Sequence, residues 1–190
     1  MELLNIQKEG SRYQEAVWEL YEQAFPADEK KPRDLMEKLE AEGKIELLAL
    51  VEDGTFAGLA MNMLHEEMAL LDYLAISPEV RGGGYGGKAV HKLLERFRGK
   101  KYIYEIEMQD ETAPNAIERR RRKAFYLRNG LKETGLFVNA YHTDFELLTP
   151  DGSLTFEEYV KMLHYILGEE GTRILNPHVI PGPKGEGGHA

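Results

Sequence analysis

Between Arg81 and Lys88 the chain reads RGGGYGGK, with glycine at Gly82, Gly83, Gly84, Gly86 and Gly87 around Tyr85. Glycines strip the turn of side chains, so backbone N–H groups can converge on a ligand, and a helix starting there adds its positive dipole end. With a basic residue on each flank, this is chemistry for binding an anion such as phosphate. A second cluster is Glu105 and Glu107, two apart in the alternating run Tyr102–Glu107 and so on one strand face. If partly buried, each carboxylate raises the pKa of the other, which suits a base working near neutrality. Tyr126 carries an acidic phenol beside Phe125 at helical spacing, a pattern equally typical of a core position. Asp72 is a weaker candidate base, and Glu66-Glu67 reads as a turn. His142, next to Tyr141, could reach a site from a late strand, although a lone histidine is more often structural. The histidines lack ligand spacing and the chain has no cysteine, so neither a metal site nor a covalent cysteine intermediate is expected.

The glycine stretch satisfies three phosphate-binding patterns. Gly82, Gly84 and Gly87 fit G-x-G-x-x-G, with Glu105 downstream as a ribose ligand, but Ser77 to Arg81 intervene where a dinucleotide fold would turn at once. Gly82 to Lys88 fit G-x-x-x-x-G-K, but Ala89 stands where a nucleotide-hydrolysing loop needs a hydroxyl on its magnesium ion. The third pattern is Arg81-x-x-Gly84-x-Gly86, preceded by a strand ending Ile76-Ser77-Pro78-Glu79-Val80 and followed by an amphipathic helix.

The elements that must carry these residues follow from periodicity. Leu3 to Gln7 alternates weakly as a first strand. Ser11 and Gln14 resemble a capping box before a helix through Tyr13, Val17, Leu20, Tyr21 and Ala24, broken at Phe25-Pro26. Pro32 opens a second short helix stopped by Gly43. Ile45–Val51, Phe56–Leu64 and Met68–Ile76 read as three successive antiparallel strands, the first two joined at Asp53-Gly54. Val90, Leu93, Leu94 and Phe97 form the inner face of the next helix. This strand–helix–strand passage into Tyr102–Glu107 is where a parallel crossover is expected. Asn115–Asn129 is a helix stopped by Gly130, and Leu136–Val138 and Tyr141–Leu148 are closing strands. Thr155 and Glu158 cap a last helix whose apolar face is Phe156, Tyr159, Val160, Leu163, Ile166 and Leu167. The fold class is α+β, a mixed and mostly antiparallel sheet flanked by helices. The main domain is expected over 1–150, a helical extension over 151–175 and a Pro/Gly-rich tail over 176–190, with GPKGEGGHA mobile.

In this order of elements the sequence resembles the GNAT superfamily of acyl-CoA-dependent N-acyltransferases. Arg81-x-x-Gly84-x-Gly86 carries the resemblance, helped by Phe25-Pro26 closing the first helix and by Phe125-Tyr126-Leu127-Arg128-Asn129-Gly130-Leu131. It spans about residues 2 to 148. The resemblance implies that Arg81, Gly82, Gly83, Gly84, Tyr85, Gly86, Gly87 and Lys88 cradle the pyrophosphate of acetyl-CoA. Leu74, Ala75 and Ile76 would offer backbone groups to the pantetheine arm, between splayed strands Met68–Ile76 and Tyr102–Glu107. An amide near Leu74 would polarise the thioester carbonyl. Tyr126 would be the general acid, and Glu105 or Glu107, or a water it holds, the base. Arg119 stands where the family often has asparagine, so Arg119 or Arg122 could touch a phosphate.

Bulk properties bound the partners. The 190 residues carry a formal net charge of −9, which argues against a nucleic-acid binder, and Arg119 to Lys123 read as a solvated helix surface. No apolar run spans a bilayer, and no signal segment is visible, so a cytoplasmic location is expected. The expected acceptor is a small-molecule or peptide amine, a cationic one being suggested by the acidic candidates Glu105, Glu107 and Asp72, acetylated by direct transfer in a ternary complex. The apolar face of the last helix could cover this chain's core or a second copy, as in a homodimer. An acyl-CoA-binding sensor without turnover is the alternative, and a nucleotide-binding enzyme the third reading.

Overall fold

Alternating apolar residues in the first half of the chain become four strands: β1 (Glu2–Asn5), β2 (Ile45–Glu52), β3 (Thr55–Leu64) and β4 (Met68–Ile76). They pair antiparallel in that order. The computed structural model describes residues 1–27 and 29–183. The chain divides into two compact units, Met1–Tyr102 and Ile103–Ala190. In the first, Asp53 and Gly54 both take positive φ (50° and 76°), the two-residue turn whose twist suits a hairpin. Leu48, Ala49, Leu50, Leu59, Ala60 and Met61 lose all contact with solvent at the centre of this sheet.

Three helices accompany it: α1 (Gln14–Ala24), α2 (Arg33–Ala41) and α3 (Tyr85–Arg96). α1 buries Val17, Trp18, Leu20 and Tyr21, and α3 buries Ala89, Val90 and Leu93, each set at helical spacing. The capping box expected at Ser11 does not form. Residues Ser11–Tyr13 make a 3-10 turn instead, and α1 begins at Gln14 without a side-chain cap.

The second unit holds most of β5 (Lys101–Glu107), then α4 (Ala116–Arg128), β6 (Lys132–Ala140), β7 (Thr143–Thr149), α5 (Phe156–Leu175) and β8 (His178–Val179). Its strands pair antiparallel in the order β5-β7-β6-β8. The β6–β7 hairpin corrects the expected strand limits: β6 starts at Lys132, and Tyr141 and His142 form the turn with φ of 48° and 66°. His142 therefore sits at an exposed hairpin tip rather than on a strand.

The capping box at Thr155 does form. Glu158 N–H donates to Thr155 Oγ1 (3.2 Å) and Thr155 N–H to Glu158 Oε2 (2.8 Å). α5 buries Tyr159, Met162, Leu163, Ile166 and Thr172, while Phe156, Val160 and Leu167 are half-buried, and Gly168 (φ 70°) kinks it. In the expected tail, β8 aligns Val179 with Val138 and His178 with Asn139. Residues 184–190 of the segment expected to be mobile lie outside the described residues. The architecture is mixed α/β, antiparallel strands with helices packed on them. Among the described residues no helix is long and apolar enough to cross a membrane.

Candidate active site

Along β4 the packing changes partway. Met68 to Leu71 are buried, whereas Leu74, Ala75 and Ile76 are half-exposed. Ser77 N–H donates to Ala57 O (2.9 Å), and the register pairs Ala75 with Leu59 and Leu74 with Ala60. In an antiparallel ladder that parity turns the backbone groups of Leu74 and Ile76 away from β3. Ile76 O accepts from Arg81 Nε at 3.4 Å on that side. Gly58 lets β3 come this close, since a Cβ there would stand 2.2 Å from Ala75 O.

Beyond β4, Ser77 Oγ accepts from Glu79 N–H and starts a 3-10 turn over Pro78–Val80. Gly82 (φ 87°) and Gly84 (φ 74°) then take left-handed conformations. A Cβ at either would meet nothing within 4 Å, so the loop opens onto empty space. α3 begins at Tyr85, so Gly86, Gly87 and Lys88 belong to its first turn rather than to the loop. The N–H groups of Tyr85, Gly86 and Gly87 thus have no acceptor within the helix, whereas Lys88 N–H donates to Gly84 O (3.2 Å). Three such donors at the positive end of a helix dipole, beside positive-φ glycines, fit a phosphate. Lys88 itself pairs with Glu52 and lies 5.2 Å from the Tyr85 ring. That pairing lowers the Glu52 pKa and raises that of Lys88. Arg81 is the loop's exposed cation.

A bulge in β4 falls at Asp72, because Met61 pairs with Tyr73 while Asn62 pairs with Leu71. Bulges re-aim side chains, and here the Asp72 carboxylate meets the Lys31 ammonium at 2.7 and 2.9 Å. Lys31 Nζ also lies 4.9 Å from the Tyr73 ring centroid. Tyr73 OH donates to Glu29 O (2.6 Å), and Lys31 N–H donates to Tyr21 OH (2.8 Å). Together these contacts clasp the segment between α1 and α2 onto β4. Burial, followed by the charge of Asp72, pushes the Tyr73 phenol up to about 12. Asp72 is thus committed to an ion pair.

In the second unit, Tyr126 stands from α4 over Tyr104, ring centroids 5.2 Å apart and edge-on, with Phe125 at the same distance on another side. Its hydroxyl makes no hydrogen bond among the described residues. Burial raises its pKa, with Arg122 pulling the other way, so the phenol is held protonated. Glu105 accepts a hydrogen bond from Tyr159 OH of α5 at 2.5 Å. Adjacent strand residues point to opposite faces, so Tyr126 over Tyr104 and Tyr159 at Glu105 lie on opposite faces of β5.

Glu107, at the end of β5, is held by the start of α4. Arg119 (2.9 Å) and Arg122 (3.1 Å) pair with it, and Asn115 Nδ2 lies 3.2 Å from both oxygens. Arg119 also donates to Met108 O (2.8 Å), Arg120 pairs with Glu111, and Lys123 pairs with Glu133 and Glu146. The arginine run is therefore largely a ladder of ion pairs, and Arg119 and Arg122 serve a carboxylate. Sequence reasoning placed Tyr159 on an apolar face only. A tyrosine in a buried helical stripe is the available hint of a polar partner, but nothing in its spacing points to Glu105.

A mixed α/β fold whose strand end feeds a glycine-lined turn at a helix N-terminus is the class that the geometry defines. Residues 14–130, more than half of the chain, match the model of the acetyltransferase (GNAT) family, and the chain belongs to that family. A comparison with curated proteins finds no match. Among solved structures, a Bacteroides thetaiotaomicron protein assigned to the GNAT family of acetyltransferases is 20% identical. The alignment covers 88% of this chain and 99% of that one, with a TM-score of 0.71. A chimera of the Vibrio cholerae spermidine N-acetyltransferase SpeG with hSSAT is 14% identical over 78% of this chain and 95% of its own, TM-score 0.58. An aminoglycoside 6'-N-acetyltransferase complexed with coenzyme A is 14% identical, covering 78% and 96%, TM-score 0.58. At these identities the likeness is one of fold.

Proposed function

We propose that this GNAT-family chain moves the acetyl group of acetyl-CoA to a primary amine by direct attack in a ternary complex. The observation that carries the reading is the cradle at the head of α3: left-handed Gly82 and Gly84 opening onto free space beside the first-turn amides. The cradle takes the pyrophosphate, with Arg81 as its cation. The outward backbone of Leu74 and Ile76 takes the pantetheine arm, and the Leu74 N–H polarises the thioester carbonyl. Glu105, directly or through a water, accepts the proton that the ammonium must lose. As the N–C bond forms and the C–S bond breaks, Tyr126 protonates the departing thiolate. Glu107 anchors α4 through Arg119 and Arg122.

The acceptor we propose is a cationic amine. Two proteins of this fold are named for spermidine and for aminoglycosides, compounds that carry several amino groups, and this chain carries a formal net charge of −9. A reaction that uses acetyl-CoA suits the cytoplasm. Calorimetry with acetyl-CoA, and thiol release with a panel of alkyl diamines, polyamines, aminoglycosides and lysine peptides, test the reading. Binding together with turnover of at least one amine is expected. No binding at millimolar acetyl-CoA sinks it, and binding without thiol release across the panel turns it into an acyl-CoA-binding module.

A further inference from the structure

Tyr159 lies outside the residues that match the family, on α5, yet its hydroxyl touches the carboxylate proposed above as the base. We infer that Tyr159 is a positioning residue for acetyl transfer, holding Glu105 in one orientation, so that α5 belongs to the working site. The inference rests on the proposed role of Glu105.

The placement of Tyr159 is built from sequence upward. The Thr155–Glu158 capping box fixes where α5 starts. Tyr159 N–H then donates to Thr155 O (3.2 Å), putting Tyr159 in the first bonded turn, where its direction is set. Met162, Leu163 and Ile166 continue the buried face, so the helix cannot roll without exposing them. Tyr159 has no exposed surface. Phenylalanine would fill that space equally well. A buried hydroxyl adds a desolvation cost that only an acceptor offsets, and Glu105 supplies one.

The bond length, 2.5 Å, is at the short end for a hydroxyl on a carboxylate. Glu105 is half-buried, and a glutamate side chain has several rotamers open to it. A fixed donor on one oxygen selects one rotamer and leaves the direction of the other oxygen defined. General-base geometry has to hold within hydrogen-bond reach of the proton it takes, so this selection bears on rate rather than on binding. The two tyrosines then divide the work across β5, Tyr126 on the face of Tyr104 and Tyr159 on that of Glu105.

The test compares Tyr159→Phe, Glu105→Gln and the double variant, using the panel amine that turns over fastest. Tyr159→Phe is expected to lower kcat about tenfold, with KM for acetyl-CoA and for the amine changed less than about twofold. In the Glu105→Gln background the same substitution should cost nothing further, a coupling that a packing role would not produce. Full kcat in Tyr159→Phe while Glu105→Gln is slow overturns this inference alone. Full rate in Glu105→Gln removes the proposed base and this inference with it. Failure of Tyr159→Phe to fold assigns the bond to stability and also overturns the inference.

Discussion

Gly84→Ala separates what the cradle does for the fold from what it does for a ligand. Gly84 has φ 74° and is the N-cap of α3, so any L-residue there enters the left-handed region. That costs about 1–2 kcal/mol of stability. For a chain of this size it corresponds to a Tm lowered by roughly 2–8 °C. No steric cost adds to it, because a Cβ at Gly84 meets nothing within 4 Å. The new methyl would stand in the space assigned to the pyrophosphate and block approach to the first-turn amides. Losing one charge-assisted hydrogen bond of about 1.5–3 kcal/mol weakens acetyl-CoA binding by about 10- to 100-fold. Calorimetry with acetyl-CoA gives Kd, and thermal denaturation gives the stability term separately. A folded Gly84→Ala protein that binds acetyl-CoA as tightly as wild type would refute the assignment of the cradle. Gly58→Ala is the contrast, since its Cβ would lie 2.2 Å from Ala75 O and must move β3 against β4.

Tyr126→Phe removes the one polar atom of a ring otherwise packed on Tyr104 and Phe125, so kcat should fall about 100-fold while acetyl-CoA Kd and Tm hold; an unchanged kcat makes Tyr126 a core residue. Lys123→Met strands Glu146, whose side chain is 1% exposed, and should cost about 3–5 kcal/mol in denaturant unfolding at neutral pH. Burial already raises the Glu146 pKa above 4.5, so Glu146 favours the fold below that value and loses this contribution as pH rises through its folded pKa. The deficit of Lys123→Met should therefore shrink on acidification, and Glu146→Gln in the same chain should remove its pH dependence. Asp72→Asn weakens the clasp on the segment between α1 and α2, and limited proteolysis should cut near Glu29–Lys31 sooner, with acetyl-CoA Kd unchanged.

The conformation of the glycine loop was legible because its information is local. Five glycines, a flanking arginine and the spacer from Ser77 to Arg81 sit in one stretch, and the turn conformation they permit is the one they adopt. β4 was readable to its last residue for the same reason, as was the capping box at Thr155. The Ser11 pattern has the same residue types but lost to a 3-10 turn, since a cap needs the right entry geometry as well as a hydroxyl. The hairpin tip at Tyr141-His142 escaped because neither residue is glycine, although both adopt positive φ.

What the residues do for one another depends on contacts far apart in sequence. Glu105 and Glu107 are indistinguishable by spacing, two acidic residues on one strand face. In the structure Glu107 is the anchor of α4, while Glu105 meets a tyrosine that arrives 54 residues later. The arginine run was read as solvated surface because a helix spreads five cations around its axis. Its partners, Glu107, Glu111, Glu133 and Glu146, come from the end of β5, the turn after it, β6 and β7. Much of the charge on α4 is thus spent on the chain's own carboxylates. At the loop Arg81 stays exposed, set there by the turn that the glycines shape, and on α4 the Tyr126 hydroxyl makes no hydrogen bond among the described residues.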